Sequence, residues 1–450
     1  MMRKLLVIAY HFPPQGGSGT LRVAKHCKYL PEFGWEPMVV ATSLVTQSDK
    51  GLLADLPATL QPSRTNELRL ILQRLKMSRP SSGKHETTGP DPSAEECRTR
   101  RSSLFGKLQA LGQARLNRYL VPDANVLAWA PFAYWRARHL IEANRVDAIF
   151  STSPPHSSQL VGYWLKRRYP RLPWIMDLRD LWSQSHLIVG TPSYRRCYSQ
   201  EERCLNAADR ILVVTDGIRR LTLGKFPKLH ESKIATLTNG YDPADLDTSF
   251  APNRTGRFVV TFIGSWYEAR NENALLPALL TLGANPHVAS RIQFRFVGHI
   301  PPAIRNRLAP LLATGSAVIR PPVSQRDALA EVLAADAVLL IESNLFELKL
   351  NHSNKLFEYL GSGKPILAVI PSDGEAAKVI QTENAGIIVD PDNALKIQEA
   401  ILNQIERFER GQLPSSSPGG YPHYHRRNLT RVLADVLNSC VGERRGDSNA

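Results

Sequence analysis

Three charged residues, Asp177, Arg179 and Asp180, follow directly after the apolar segment Trp174–Met176. Such a segment is typical of a buried strand, and open α/β sheets bind their ligands beyond the carboxyl ends of their strands. Three charges at this place are hard to explain by core packing, so we predict that they belong to a catalytic site. The alternative is that Arg179 and Asp180 form a structural ion pair.

A second loop carries His156 in a similar position. The segment Ala148–Ser151 has the composition of a strand, and Pro154, Pro155 and His156 follow it. This loop also lies at the carboxyl end of a predicted strand, where a ligand of an open sheet is expected. His156 therefore joins the three charged residues as a catalytic candidate.

A glycine-rich turn joins the first apolar segment, Leu5–Ala9, to a helical pattern that begins near Leu21. Gly16, Gly17 and Gly19 allow backbone amides to approach a ligand closely, and a helix N-terminus attracts negative charge. The turn favours phosphate or sugar binding; the alternative is a tight turn that binds nothing. Its spacing is not GxGxxG and it lacks the acidic residue about 20 positions later, which argues against NAD.

The segment from Ser353 to Gly363 has the pattern of a capped helix. Lys355 and Glu358 are three positions apart and share a helix face. A cation in the first turn is unfavourable unless an anion lies there too, so Lys355 indicates a bound phosphate. A simple surface pair between Lys355 and Glu358 is the alternative.

Composition narrows the class of protein. The 450 residues are 43% hydrophobic and carry a net charge of +15, which suits an anionic partner such as a phosphorylated ligand, a membrane surface or nucleic acid. The five cysteines form no CxxC pair, so we expect reduced thiols and no metal site. The apolar stretch near the start is too short for a signal peptide and no stretch spans a bilayer, so we expect a cytoplasmic protein.

Apolar segments alternate with helical patterns in both halves of the chain, which predicts two parallel sheets covered on both faces. The predicted strands are Leu5–Ala9, Met38–Ala41, Ala148–Ser151, Trp174–Met176 and Ile211–Val214 in the first half, and Val259–Ile263, Gln293–Val297, Ala337–Ile341, Ile366–Val369 and Gly386–Val389 in the second. We therefore expect a Rossmann-like, doubly wound domain over residues 1–245 and a second over 256–428, followed by a C-terminal helix and tail over 429–450. The polar stretch 245–257 is the predicted linker.

A basic insert over about residues 62–118 interrupts the first domain. It holds twelve Lys or Arg against five Asp or Glu, and its polar centre is flanked by the amphipathic patterns "LRLILQRLKM" and "LFGKLQALGQARLNRYL". Basic amphipathic helices can lie in a membrane interface. The alternative is that these are ordinary surface helices packed on the domain.

The segments that carry these candidate residues belong to a longer series of sequence motifs. In order these are "FPPQGGSGTLRVAKHCKYLPEFGWEPMVVAT", "TSPPHSSQLVG", "WIMDLRDLW", "ADRILVVTDGIRRLT", "TNGYDP", "FIGSWYEARNENALLPAL", "FRFVGH" and "NKLFEYLGSGKPILAVIPSDGEAAKVI" with "AGIIVDPDN". Over nearly the whole chain this series resembles the family-4 retaining glycosyltransferases of the GT-B fold, in particular the bacterial branch that builds surface polysaccharides.

The resemblance implies two Rossmann-like domains that face each other across a cleft, with the donor on the C-terminal domain and the acceptor on the N-terminal one. Carried over residue by residue, it assigns donor binding to Gly16, Gly17, Gly264, Arg270, Lys355 and Glu358. Glu358 matches the glutamate that holds the donor ribose hydroxyls, and Arg270 falls where the family places a basic residue against the diphosphate.

The resemblance further implies a UDP- or GDP-sugar as substrate, no separate cofactor, and a lipid-linked or polysaccharide acceptor. Without a DxD metal motif, cations and helix dipoles must stabilise the leaving phosphate. Retention would follow from front-face attack, with the leaving phosphate helping to deprotonate the acceptor hydroxyl. His156, Asp177 and Asp180 are candidates to orient that hydroxyl.

One position departs from the family pattern. Many relatives carry a glutamate eight positions before Glu358, where this chain has Leu350; Glu347 and His352 are nearby candidates to replace it. The alternatives are a nucleotide-sugar 2-epimerase of the same architecture and a catalytically inactive assembly partner. A nucleic-acid-binding protein is disfavoured, because no helix-turn-helix, zinc or RNA-binding signature is present.

Overall fold

The computed structural model describes residues 2–46, 48–68, 129–246, 256–266, 272–414 and 416–446. Arg270, residues 69–118 of the basic insert and most of the predicted linker therefore lie outside the described residues. Within them, no helix combines the length and the apolar character that crossing a bilayer requires.

The N-terminal sheet is parallel throughout and, within the described residues, has seven strands in the order β3-β2-β1-β4-β5-β6-β7. The strands are β1 (Arg3–Ala9), β2 (Trp35–Thr42), β3 (Ser63–Thr65), β4 (Ala148–Ser153), β5 (Trp174–Leu178), β6 (Arg210–Val213) and β7 (Ile234–Thr236). The order reverses direction at β1, so β1 and β4 form the centre, and their carboxyl ends open on one edge.

The C-terminal sheet is also parallel, with the order β10-β9-β8-β11-β12-β13 among the residues described. Its strands are β8 (Phe258–Ile263), β9 (Ile292–Val297), β10 (Ala317–Arg320), β11 (Ala337–Ile341), β12 (Ile366–Val369) and β13 (Gly386–Val389). Two parallel sheets, each wound in both directions from its first strand, confirm the predicted pair of Rossmann-like domains.

Helices connect the strands and cover both faces of each sheet. In the N-terminal domain they are α1 (Ser18–Tyr29), α2 (Lys50–Ala54), α3 (Ala130–Ala143), α4 (Ser157–Arg168), α5 (Tyr194–Ala207) and α6 (Asp216–Lys225). Those of the second half are α7 (Glu272–Ala284), α8 (Pro286–Ala289), α9 (Pro302–Arg307), α10 (Ala309–Ala313), α11 (Gln325–Leu333), α12 (Phe346–Lys349), α13 (Asn354–Ser362), α14 (Glu375–Thr382), α15 (Ala394–Glu409) and α16 (Arg426–Gly446).

The last helix returns to the first domain. The sequence predicts a final helix from about Leu429 to Leu437, and α16 includes this segment. Its buried residues Leu429, Leu433 and Leu437 share one hydrophobic cluster with Leu5 and Val7 of β1. The chain therefore crosses twice between the domains, and the C-terminal helix completes the core of the N-terminal one.

Candidate functional site

A cavity of about 980 Å³ lies between the two domains. The N-terminal domain contributes Gly17, Gly19, Leu21, Pro154, Arg179, Asp180 and Asn239 to its wall. The opposite wall includes two glycines, Gly264 and Gly298. Its polar residues are Ser265, His299, Gln325, Glu342, Asn351, His352, Ser353, Asn354, Lys355 and Glu358. Both walls are built from the carboxyl ends of central strands, where the topology of each sheet leaves a crevice.

The glycine turn forms the entry to α1. Gly17 lies on the cavity wall and is the N-cap residue of α1, with φ of 98°, a backbone conformation that L side chains rarely adopt. A Cβ at Gly17 would meet no atom within 4 Å, so its backbone conformation rather than crowding requires glycine. Gly16 is buried and does not line the cavity, so the structure brings only the second of the two predicted glycines to the site.

The N-terminus of α13 forms the opposite side. Ser353 is the N-cap residue in extended conformation, and its side chain makes no capping hydrogen bond, so the first-turn amides of α13 are not capped by it. The Lys355 ammonium lies 4.2 Å from the centroid of the Phe262 ring. Gly264 has φ of 102°, and a Cβ there would lie 3.2 Å from Lys355 Nζ. Gly264 therefore makes the space in which the Lys355 side chain lies.

Glu358 is buried, one turn further along α13. Its Oε1 accepts a hydrogen bond of 2.6 Å from Gln325 Nε2, and its side chain reaches the cavity wall. Burial raises the pKa of Glu358 to about 7, which the hydrogen bond from Gln325 and the charge of Arg426 oppose. Lys355 and Glu358 are not the simple surface pair of the alternative interpretation, because Glu358 is buried and both side chains line the cavity.

Arg179 and Asp180 line the cavity but do not use each other as their main partners. The buried Arg179 guanidinium donates to the backbone oxygens of Gly19, Ser153 and Pro154 at 2.5, 2.9 and 2.8 Å. It therefore ties the glycine turn to the loop after β4. The exposed Asp180 carboxylate accepts a hydrogen bond of 2.6 Å from Asn351 Nδ2 of the opposite domain.

Asp177 and His156 lie behind the cavity wall, so the structure does not bring them together with the other candidates. Asp177 is fully buried, pairs with Arg22 at 2.9 Å and accepts a hydrogen bond of 2.7 Å from Thr152 Oγ1. His156 is 8% exposed and stacks on Trp182 at a centroid distance of 4.9 Å. The expectation that both orient a hydroxyl in the site does not fit these positions.

Leu350, the departure from the family pattern, faces the N-terminal domain. Its side chain packs against the hydrophobic core of that domain, and its backbone oxygen accepts a hydrogen bond of 2.5 Å from Thr215 Oγ1. Of the two nearby candidates, His352 lines the cavity and Glu347 does not. Burial lowers the pKa of His352 to about 4, so its imidazole is neutral at pH 7, with Nε2 3.1 Å from Thr238 Oγ1.

The sequence analysis did not predict several cavity residues, although a signal was available for two of them. His299 and Glu342 follow the ends of β9 and β11, the same signal that singled out Arg179 and Asp180. Gln325 begins α11, where no local pattern marks it as a partner of Glu358. Polar residues directly after central strands are therefore the most useful sequence signal for this wall.

Within the described residues, one group of carboxylates has spacing suited to a metal ion. Oxygens of Asp55, Asp242 and Asp245 lie within 4.8 Å of one another. The Lys25 ammonium contacts all three, at 2.5, 2.8 and 2.6 Å. The group is therefore an ion-pair network that joins α1 to the end of α2 and to the segment that follows β7, with a lysine where a cation would bind.

Comparisons with known proteins agree with this geometry. Residues 20–240 match the family described as Glycosyl transferase 4-like domain. No curated protein matches the chain. The chain is similar to a glycosyltransferase from Rickettsia africae, with a TM-score of 0.62 at 12% identity over 98% of this chain and 99% of that one.

Two further solved structures share the architecture. One is WaaG, a glycosyltransferase involved in lipopolysaccharide biosynthesis, with a TM-score of 0.54 at 13% identity over 96% and 99% of the two chains. The other, from Listeria monocytogenes, is described as a UDP-N-acetylglucosamine 2-epimerase, with a TM-score of 0.56 at 12% identity over 98% of both chains. The chain has the GT-B fold, and its N-terminal half is similar to glycosyltransferase 4-like domains.

Proposed function

We propose that this protein is a metal-independent hexosyltransferase that transfers a sugar from a UDP- or GDP-sugar to a lipid-linked or polysaccharide acceptor with retention of configuration. The observation that carries the proposal is the cavity between the domains, with Lys355 and the N-terminus of α13 on one wall and the glycine turn on the other. Anionic groups are stabilised at such a helix end, and a diphosphate places two of them there.

The donor diphosphate is proposed to lie at the first turn of α13. The Lys355 ammonium supplies a cation, and the helix dipole supplies partial positive charge from the first-turn amides. Both become more favourable as negative charge grows on the leaving phosphate in the transition state, so they accelerate bond cleavage as well as binding. Arg270, which lies outside the described residues, is proposed to contact the diphosphate because the family resemblance places a basic residue there.

The donor ribose is proposed to bind Glu358. An ionised carboxylate accepts two hydrogen bonds from neighbouring hydroxyls, and its buried position in α13 holds it at a fixed place relative to Lys355. Gln325, which donates to Glu358, keeps that carboxylate oriented. This assignment predicts the same ribose contact for a uracil or a guanine nucleotide.

The acceptor is proposed to enter beside the N-terminal wall. Front-face attack requires the acceptor hydroxyl close to the leaving phosphate oxygen, which takes its proton. Asp180 and Asn351 form a hydrogen bond across the cleft and lie on the cavity wall, so they are placed to orient that hydroxyl. Arg179, which also lines the cavity, holds the glycine turn through its hydrogen bond to the backbone oxygen of Gly19.

Proton NMR of the reaction products tests the proposed chemistry and separates it from the alternatives. The purified protein is incubated with UDP- and GDP-sugars, with and without a membrane extract as the acceptor source. Acceptor-dependent formation of a glycoside with the donor's anomeric configuration supports the transferase. A free epimer formed without acceptor identifies the 2-epimerase that the Listeria structure exemplifies, and the absence of any turnover favours the inactive assembly partner.

A role in bacterial surface-polysaccharide biosynthesis, at the inner face of the cell membrane, is the proposed setting. Similarity in fold to a lipopolysaccharide glycosyltransferase and the basic sequence of residues 62–118 support it. Each Lys or Arg close to an anionic membrane adds about 1 kcal/mol of attraction. Removal of residues 69–118, which leaves β3 (Ser63–Thr65) in place, is expected to abolish co-sedimentation with anionic liposomes, and undiminished co-sedimentation would contradict the membrane role of this segment.

A further inference from the structure

Arg426 lies where the two domains and the linker meet. It is the first residue of α16, and its backbone amide donates a hydrogen bond of 2.8 Å to the backbone oxygen of Tyr241. Its Nη2 lies 3.3 Å from Oδ1 of Asn354, to which it donates. Asn354 begins α13, the helix that carries Lys355 and Glu358, so the C-terminal helix contacts the start of the donor-binding helix.

The Arg426 side chain is fully buried, although its hydrogen bonds satisfy only part of its donors. The residue is 0% exposed, and among the described residues its Nε and Nη1 have no hydrogen-bond partner. A buried cation with unsatisfied donors is strongly unfavourable relative to the same group in water unless neighbouring charges compensate. The compensating charges must therefore belong to residues that line the same cavity as Arg426.

Arg426 and Glu358 line the same small cavity of about 10 Å³, which is enough for one water molecule. The charged and hydrogen-bonding groups around Glu358 are Arg426 of α16, Asp242 and Asp245 of the segment that follows β7, Lys25 of α1, Gln325 of α11 and Lys355 of α13. Asp242 and Asp245 are each bonded to Lys25, whereas Glu358 accepts its hydrogen bond from the neutral amide of Gln325.

We propose that Arg426 is a positioning residue of the donor site, whose charge favours the ionised form of Glu358 and whose bond to Asn354 holds the start of α13. The inference rests on the proposed function, because an ionised Glu358 is the form that accepts hydrogen bonds from two ribose hydroxyls. The C-terminal helix thereby acts on nucleotide binding without touching the nucleotide.

The pH dependence of nucleotide affinity follows from the ionisation of Glu358. Burial raises the pKa of Glu358 to about 7 in the free protein, and the Arg426 charge opposes that rise. Ribose hydroxyls favour the ionised form, so affinity is full above this pKa and weakens as the pH falls through it. Without the Arg426 charge the pKa rises further, and the weakening begins at higher pH.

Calorimetric titration with UDP and GDP between pH 5.5 and 8.5 tests the proposal in four proteins: the wild type, Arg426→Met, Arg426→Lys and the control Arg427→Met. Methionine fills the site without a charge, lysine keeps the charge, and Arg427 is an exposed neighbour that pairs with Glu32 at 2.5 Å. We expect the affinity midpoint of Arg426→Met to rise by about one pH unit, which weakens binding about fivefold at pH 7 and little at pH 8.5. Arg426→Lys and Arg427→Met should keep the wild-type midpoint.

An unchanged midpoint in Arg426→Met, or an equal loss of affinity at every pH, would show a merely structural role and overturn the proposal. If the wild type binds neither nucleotide, the proposed function itself fails, a result distinct from an unshifted midpoint. Should Arg426→Met lack the cooperative melting of the wild type, Arg426→Gln, which can still donate to Asn354, takes its place in the same comparison.

Discussion

Two acidic residues three positions apart illustrate how the environment decides a side chain's role. Asp177 and Asp180 follow the same apolar segment, and both were candidates for catalysis. Asp177 is the fourth residue of β5 and pairs inside the domain with Arg22, whereas Asp180 lies beyond the strand and bonds across the cleft to Asn351. Only Asp180 remains available to a ligand.

This difference predicts that the same substitution has a large effect on stability at one position and a small effect at the other. Asp177→Asn removes the partner of a buried guanidinium and should lower the free energy of unfolding by about 3 kcal/mol or more. Asp180→Asn alters an exposed carboxylate and should change it by about 0.5 kcal/mol or less. Urea denaturation of both variants measures the two values, and equal values would show that the Arg22 pair contributes nothing particular.

Gly264 offers a second test at the residue scale. Gly264→Ala places a methyl group where Lys355 Nζ lies 3.2 Å away, so we expect nucleotide affinity to fall about tenfold as the ammonium is displaced. Gly256→Ala is the matched control, because Gly256 also has a positive φ, of 72°, but a Cβ there meets no atom within 4 Å.

Both alanine variants should lose about 1 kcal/mol of stability from backbone strain, since each forces an L residue into a positive φ. Only Gly264→Ala should lose affinity for UDP or GDP in calorimetric titration. Equal affinities in the two variants would show that Lys355 does not contact the nucleotide.

At the scale of elements, helix α1 connects three parts of the molecule. Its buried side chains Arg22, Lys25 and His26 bond respectively to Asp177 of β5, to carboxylates that follow β7, and to Thr430 of α16. The glycine turn at its N-terminus lies on the cavity wall. Helix α1 therefore connects α16 and the segment that follows β7 to the N-terminal wall of the cavity.

Packing of α16 on the N-terminal domain predicts that two adjacent residues contribute very differently to stability. Leu433 is fully buried against the core around β1, and Leu433→Ala should lower the free energy of unfolding by about 2–5 kcal/mol. Val432 is 45% exposed, and Val432→Ala should change it by about 0.5 kcal/mol or less. Thermal or urea unfolding measures both; a similar, small change in the two variants would mean that α16 does not pack as described.

At the scale of the whole molecule, the sequence patterns predicted the central strands of both sheets but not three of the edge strands. Strands buried on both faces read as continuous apolar runs, so the centre of each sheet was predicted to within a few residues. β3, β7 and β10 are three or four residues long, partly exposed, and lie at sheet edges, where no such run is required. Hydrophobic patterns therefore predict the fold but not these three edge strands.

The site was predicted less completely than the fold, for a physical reason. Residues that follow strand ends, such as Arg179 and Asp180, reach the cavity because the topology places them there. Asp177 was misplaced because its partner Arg22 lies 155 positions away, and Gln325 was missed because it lies 33 positions from Glu358. Partners that distant leave no trace in local spacing.

The central claim is that the cleft binds a nucleotide sugar through Lys355 and Glu358. The most direct test is calorimetric titration of a panel of UDP- and GDP-sugars into the wild type, Lys355→Ala, Glu358→Ala and the control Lys378→Ala, a half-exposed lysine of α14 that does not line the cavity. We predict that one donor binds selectively, that both cleft variants weaken it about tenfold or more, and that Lys378→Ala does not. Binding of no donor, or equal affinity in all four proteins, would contradict the account.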